Sequence, residues 1–170
     1  MASELLILRH AKSSWDSGVA SDFERPLSPR GRRTAPRVGH WLAERDLVPD
    51  FAFVSPAQRT LETLELLTEA WGAEPQVRRE ERIYEASLGE LISLLAQCPP
   101  NAERVLILGH NPGLAMLADY LAVDGLPVPP DGKAFPTAAL AHLRMPADWS
   151  DLQRGDGELI EVLRPRDMES

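Results

Sequence analysis

The stretch LLILRHAKSSWD, Leu5–Asp16, decides how the rest of the chain is read. Four consecutive aliphatic residues, Leu5–Leu8, predict a strand buried on both faces, the kind found at the centre of an α/β sheet. The run ends abruptly in Arg9-His10, two groups that are costly to bury. Either this pair marks where a core strand reaches solvent, or it is a reactive centre mounted on the strand's end.

The pattern recurs. FAFV, Phe51–Val54, runs into SPAQR, and RVLILG, Arg104–Gly109, runs into HNPG. Helix signals follow each strand. In LSPRGRRTAPRVGHWLAERD, 27–46, Ser28 is the N-cap and Pro29 the first helical residue. Pro36 and Gly39 weaken the middle of that helix and predict a bend or break. In SPAQRTLETLELLTEAWG, 55–72, Ser55 caps, Gln58 completes a capping box and Gly72 ends the helix. Residues 76–79 make a short strand, and Ser87 with Glu90 forms another capping box. Residues 137–145 and 158–165 read as two late strands with turn residues between them. Residues 10–28 are polar and irregular, long enough for a functional loop. The fold class expected is α/β: a three-layer sandwich with a mostly parallel central sheet, helices on both faces and an antiparallel edge.

Length and composition narrow the function classes. With 170 residues, 44% of them hydrophobic, the chain fits one domain, 1–170, with a sizeable core. No apolar run approaches the roughly 20 residues that cross a bilayer, and the N-terminus lacks a basic region before its short apolar run, so neither a membrane span nor a signal peptide is expected. A single cysteine, Cys98, rules out an internal disulfide and a Cys-based zinc site, and suits a reducing cytoplasm. The net charge of −8 argues against nucleic acid and anionic membranes as partners. Yet Arg9–Arg37 holds seven basic residues against three acidic ones, a segment of +4 in a remainder of −12. Such a local excess suits a small anionic group; the plainer reading of the outer arginines is a solvated helix face.

In an open α/β sheet, ligands bind beyond the carboxyl ends of the parallel strands. That rule brings Arg9, His10, Arg59 and His110 to one edge. Arg59 is anomalous on its own account, because it sits in the first turn of a helix, where the macrodipole disfavours a cation. Helix N-termini and arginine forks both bind phosphate or sulfate well, and a concentration of positive charge here points to a phosphoryl group. The other two histidines, His40 within a helix and His142 within a strand, read as structural or surface residues.

Together, LRHAKSSW, SPAQRTLET and LILGHNPG resemble the histidine phosphatase superfamily, the group that includes phosphoglycerate mutases and acid phosphatases. The small size, RHA in place of RHG, FERPLSPRGRRTA and FPTAAL resemble its SixA-type phosphohistidine phosphatase branch. The resemblance implies a phosphoglycerate mutase-like fold. It also implies that His10 is the nucleophile, that Arg9 and Arg59 clamp the phosphate, and that His110 contacts the phosphoryl oxygens. Asp16 falls where the mutase-like branch often has asparagine; an ionised aspartate would repel the anion, so its expected task is to orient or balance Arg9 or Arg59. Ser13 is a candidate hydrogen-bond donor to substrate. Glu85, just before a helix in RIYEASLGEL, is the candidate general acid, with Glu24 and Glu62 as alternatives; Glu62 is better placed to pair with an arginine.

The physical reading agrees with that assignment. A neutral imidazole is a usable nucleophile near neutral pH, and fixed guanidinium forks stabilise the charge spread over the three equatorial phosphoryl oxygens. No metal pattern appears, and no cofactor is expected. The expected partner is a phosphorylated histidine protein or a small phosphate ester, acted on by a cytoplasmic monomer. Two competing functions are a broad small-molecule phosphomonoesterase and a non-catalytic phosphoprotein-binding module; a mutase would need segments this short chain lacks.

Overall fold

The computed structural model describes residues 3–16 and 18–168. The chain's first two residues, within the N-terminus read above for a leader, lie outside them, as does Ser17 of the 10–28 loop. Six strands form one sheet: β1 (Glu4–Arg9), β2 (Phe51–Val54), β3 (Gln76–Arg79), β4 (Arg104–Gly109), β5 (Leu140–Arg144) and β6 (Glu158–Leu163), in the spatial order β3-β2-β4-β1-β5-β6. β1, β2, β3 and β4 are mutually parallel, whereas β5 runs antiparallel to both β1 and β6. The fold is therefore α/β with a mostly parallel sheet and an antiparallel edge, as the strand patterns predict.

The double-sided burial of β1 has a direct cause. Leu5 and Ile7 point into one core, with Phe51, Phe53, Val105 and Ile107. Helices α3 (Leu88–Leu95) and α4 (Gly113–Leu121) cover that face through Leu91, Leu94, Leu114 and Leu117. Leu6 and Leu8 point into the other core, with Ala52, Val54, Leu106 and Leu108. Helices α1 (Pro29–Glu44) and α2 (Gln58–Trp71) cover it through Ala35, Val38, Leu42 and Leu67. Among the described residues no helix is long and apolar enough to cross a membrane.

Two local expectations need correction. α1 runs uninterrupted through Pro36. Packing outweighs the lost hydrogen bond, because Gly39 is where the two helices meet: a Cβ there would stand 2.8 Å from the Ala70 Cβ. At α2, Ser55 is not the cap. The N-cap is Ala57, without a side-chain cap bond, and Ser55 Oγ stands 2.8 Å from His110 Nε2 instead. The expected caps at Ser28 and Ser87–Glu90 and the left-handed Gly72 terminus are present.

The N-terminus of α1 also fixes the chain just beyond His10. The Ser28 N–H and hydroxyl both donate to the Lys12 carbonyl, at 2.9 and 3.1 Å, and Gly31 packs on the same carbonyl. A Cβ on Gly31 would lie 2.1 Å from that oxygen. Gly31→Ala should therefore destabilise by about 1–3 kcal/mol, the usual cost of overpacking. Gly89→Ala, at a helical site with nothing within 4 Å, should be neutral or stabilising. Thermal melts of the two variants check this; equal melting temperatures would show that the Lys12 turn yields freely.

Candidate active site

β1 and β4 end side by side, and their last bonds carry on into the residues that follow. The His10 N–H donates to Gly109 O at 3.0 Å, and His10 O accepts from Ala138 N at 2.9 Å. The Arg9 N–H donates to Ala139 O at 3.0 Å. The next residue is held from the helix side, where the Ala11 N–H donates to Thr63 Oγ1 at 3.1 Å and that hydroxyl donates to Arg59 O. His10 is thus fixed by the end of β4, by the residues leading into β5 and by α2.

This frame brings together four of the six predicted residues. His10, Arg59 and His110 are buried polar side chains, and Arg9 is half-buried. The two imidazole centroids are 5.3 Å apart. His10 Nδ1 lies 2.7 Å from Ala11 O, a carbonyl that can only accept, so the ring proton is assigned to Nδ1. Nε2 then keeps its lone pair, and the Arg59 Nε–H donates to it at 3.3 Å. Burial, with smaller contributions from His110, Arg59 and Arg9, pushes the His10 pKa down to about 3. Burial and the same two arginines push His110 down to about 4. Both rings are neutral near pH 7.

Sequence reasoning missed the carboxylate that balances the cluster. Asp22, in a single 3₁₀ turn (Asp22–Glu24) of the long loop, accepts from Arg59 Nη2 at 3.0 Å through Oδ2 and from Arg25 Nε at 3.1 Å through Oδ1. Its carbonyl accepts from Arg59 Nη1 at 2.8 Å. The Tyr84 hydroxyl donates to Oδ2 at 2.7 Å, and this bond, with the two guanidiniums, holds the Asp22 carboxyl below its ordinary pKa. Asp16, expected in that role, is exposed and contacts neither arginine through an ion pair or hydrogen bond. Tyr84 was missed too: its ring stands edge-on to His110 at 5.3 Å, and Phe23 stands edge-on to Tyr84 at 5.1 Å. The only signals in the sequence were an aromatic beside Glu85 and an acid before the RPLSPRG stretch.

Glu85 and Ser13 do not join the cluster by hydrogen bonds. Glu85 is exposed, with a left-handed backbone (φ 58°) just after Tyr84. Ser13 is buried, and its backbone pairs with Leu27. Of the alternative acids, Glu24 accepts a hydrogen bond from Ser21 on the surface, and Glu62 pairs with Arg32 at 2.9 Å. Among the described residues no group of three His, Cys, Asp or Glu side chains is arranged to hold a metal ion.

The arrangement can therefore bind and polarise a tetrahedral anion. Arg25 and Arg59 share one carboxylate, Asp22, and Arg9 has no ion pair among the described residues, so the three guanidiniums keep an excess of about two positive charges that a phosphoryl dianion would neutralise. Arg9 Nε and His110 Nδ1 are buried and have no partner among the described residues. An unprotonated imidazole nitrogen stands against a guanidinium, so an electrophile bound by Arg59 would be held beside a lone pair.

Comparison with known proteins shows the family. The family model for the histidine phosphatase superfamily (branch 1) matches residues 5–104. An uncharacterised protein of Mycobacterium tuberculosis is 34% identical over 163 residues, covering 94% of this chain and all of the relative. Among solved structures, the putative phosphohistidine phosphatase SixA of Nakamurella multipartitia superposes with a TM-score of 0.81 at 29% identity, covering 97% of each chain. The putative SixA of Agrobacterium tumefaciens gives 0.79 at 25% identity, covering 97% of this chain and 99% of its own. With the RHA motif on β1 and the second histidine after β4 in place, the chain belongs to the histidine phosphatase superfamily, in its SixA-type branch.

Proposed function

We propose that the chain is a phosphohistidine phosphatase that works through a covalent phosphoenzyme on His10, without a cofactor. The observation that carries this reading is the placement of the His10 ring: Nδ1 lies 2.7 Å from Ala11 O, which assigns the proton to Nδ1 and leaves the Nε2 lone pair facing the Arg59 guanidinium. In the first step, Nε2 forms a bond to phosphorus as the bond from phosphorus to the leaving group breaks. Arg9 and Arg59 would neutralise the charge on the equatorial oxygens, neutral His110 would hydrogen-bond to them, and Asp22 would hold the Arg59 fork in register. In the second step, water attacks the phosphorus, and His10 departs as neutral imidazole with inorganic phosphate as product.

The leaving group decides between substrates. An alkoxide needs a proton from an acid, whereas imidazole, with a conjugate acid of pKa about 6.5, needs little help. The groups within the cluster are poor acids near neutral pH. Both histidines are neutral, Asp22 is held ionised, and its hydrogen bond raises the Tyr84 pKa. Glu85 is exposed and outside the hydrogen-bonded cluster. This chemistry favours phosphohistidine over alkyl phosphates, and so favours a phosphatase for a histidine-phosphorylated protein over the broad phosphomonoesterase. We further take the enzyme to be cytoplasmic, in keeping with its single cysteine, and monomeric.

Rapid denaturation during single turnover should trap acid-labile phosphate on His10, and His10→Ala should abolish both adduct and turnover. Wild-type rates should fall in the order phosphohistidine, aryl phosphate, alkyl phosphate, and Glu85→Gln should leave the phosphohistidine rate within about twofold while slowing alkyl esters more. A label on another residue, or alkyl turnover faster than phosphohistidine turnover, overturns the proposal.

The lowered pKa values predict a pH signature. Below about pH 6.5 the unfolded chain takes up protons that folded His10 and His110 refuse. Stability should therefore fall as the pH drops from about 6.5 towards 4. Nitrogen NMR should show the His10 ring neutral, with its proton on Nδ1, from pH 8 down to 5. A midpoint near 6.5 would show that the ring is solvated.

Asp22→Asn keeps the side chain's shape and removes the charge that orients Arg59. It should lower kcat by about 10- to 100-fold, with a smaller change in KM and little change in melting temperature, since Asp22 is half-exposed. A large loss of stability with kcat intact would make Asp22 structural.

A further inference from the structure

The positive segment Arg9–Arg37 holds more charge than the cluster uses. Arg9 belongs to the cluster, Arg25 pairs with Asp22 and Arg32 pairs with Glu62. Lys12, Arg30 and Arg37 make no ion pair among the described residues, and they line one side of a cavity of about 240 Å³. Arg30, Thr34 and Arg37 recur at helical spacing along one face of α1. The opposite wall comes from the loop before β5 and the turn after β6, which contribute Lys133, Arg164 and Arg166.

Six cations therefore surround one small concavity in a protein of net charge −8, and Asp131 is the acid that lines it with them. Asp131 pairs with Arg166. Arg164 is fixed without being neutralised, since its Nε donates to Ala134 O and its Nη2 to Pro127 O, both at 3.1 Å. Two proline rings, Pro136 and Pro165, stiffen the walls. A solvated helix face explains the arginines of α1 alone. It does not explain why two further segments, distant in sequence, bring three more cations to the same hollow. Four of the six are arginines, whose planar forks match phosphate oxygens.

We infer that this cavity is a second anion-binding site, for a small, multiply phosphorylated compound, distinct from the catalytic cluster. The volume suits a compact polyanion rather than a protein segment, and the charge exceeds what a single phosphate would neutralise. The site shares a wall with the cluster. The loop holding Lys133 continues through Phe135, whose carbonyl accepts from Arg9 Nη1, to Ala138, which donates to His10 O.

Calorimetric titration with inorganic triphosphate tests the inference. Wild type and Arg59→Gln should bind it with similar Kd, because the cluster is not the site; His110→Gln replaces the second chain if Arg59→Gln does not fold. Arg37→Glu combined with Lys133→Glu, both on exposed side chains, should weaken binding at least about tenfold while leaving aryl phosphate turnover and melting temperature unchanged. Inorganic monophosphate should bind more weakly at this site than triphosphate. Binding lost in Arg59→Gln but kept in the double reversal would assign the triphosphate to the catalytic cluster and overturn the inference. So would no binding to wild type, or a polyglutamate peptide that competes as well as triphosphate.

Discussion

Everything at this sheet edge depends on how the His10 backbone is held. Its N–H goes to Gly109 at the end of β4, its carbonyl to Ala138 before β5, and its ring to Ala11 O. The first two bonds exist because β1 lies between a parallel and an antiparallel neighbour. A histidine at the end of an edge strand would have only one such neighbour. The four buried aliphatics that precede it anchor the strand in both cores at once, so the histidine's position is set by the best-packed part of the molecule.

That position carries an electrostatic cost. Arg59 opposes the dipole of its own helix, and burial, then the nearby Arg59 charge, disfavours the charged form of Arg9. The long loop offsets part of this. Asp22 pairs with Arg59 and Arg25, and the Arg25 guanidinium stacks 3.6 Å from the centre of the exposed Trp15 ring. The loop is tied back on itself by Ser14 N to Pro26 O and by the Ser13–Leu27 bridge. One carboxylate is not enough to neutralise three arginines. The residual positive charge, with Arg9 Nε and His110 Nδ1 unpartnered among the described residues, costs stability and favours a bound anion.

The layers of the fold and the strand-end residues were legible in the sequence because they follow local rules: an aliphatic run marks a buried strand, and parallel strands converge at their carboxyl ends. Caps at Ser28 and Ser87 were legible for the same reason. Ser55 misled because a serine before a helix looks identical whether it caps the helix or reaches across to His110; the difference is set by β4, more than fifty residues away. Asp22 and Tyr84 carry no periodic signal. Their meeting joins residues 62 positions apart through an irregular loop and a single 3₁₀ turn. Asp16 was the nearer acid in sequence, and proximity along the chain was a poor guide inside a loop. Pro36 failed as a breaker because the close approach at Gly39 stabilises α1 from outside.

The loop before β5 now has two tasks that constrain each other. Phe135 O accepts from both Arg9 Nη1 and the Asn111 side chain, at 3.2 and 2.7 Å, so it fixes an arginine of the cluster and the turn after His110 together. One residue earlier, Ala134 O holds Arg164 on the wall of the cationic cavity. Adjacent carbonyls of one loop thus fix guanidiniums in two separate places. A ligand that drew Arg164 and Lys133 inward would act on the same peptide segment that orients Arg9. Pro136, next in the chain, limits how that segment can relax, because its ring fixes a backbone dihedral directly after the two carbonyls. Coupling by this route requires only a small displacement of a short stiff segment, with no change in the sheet that holds His10.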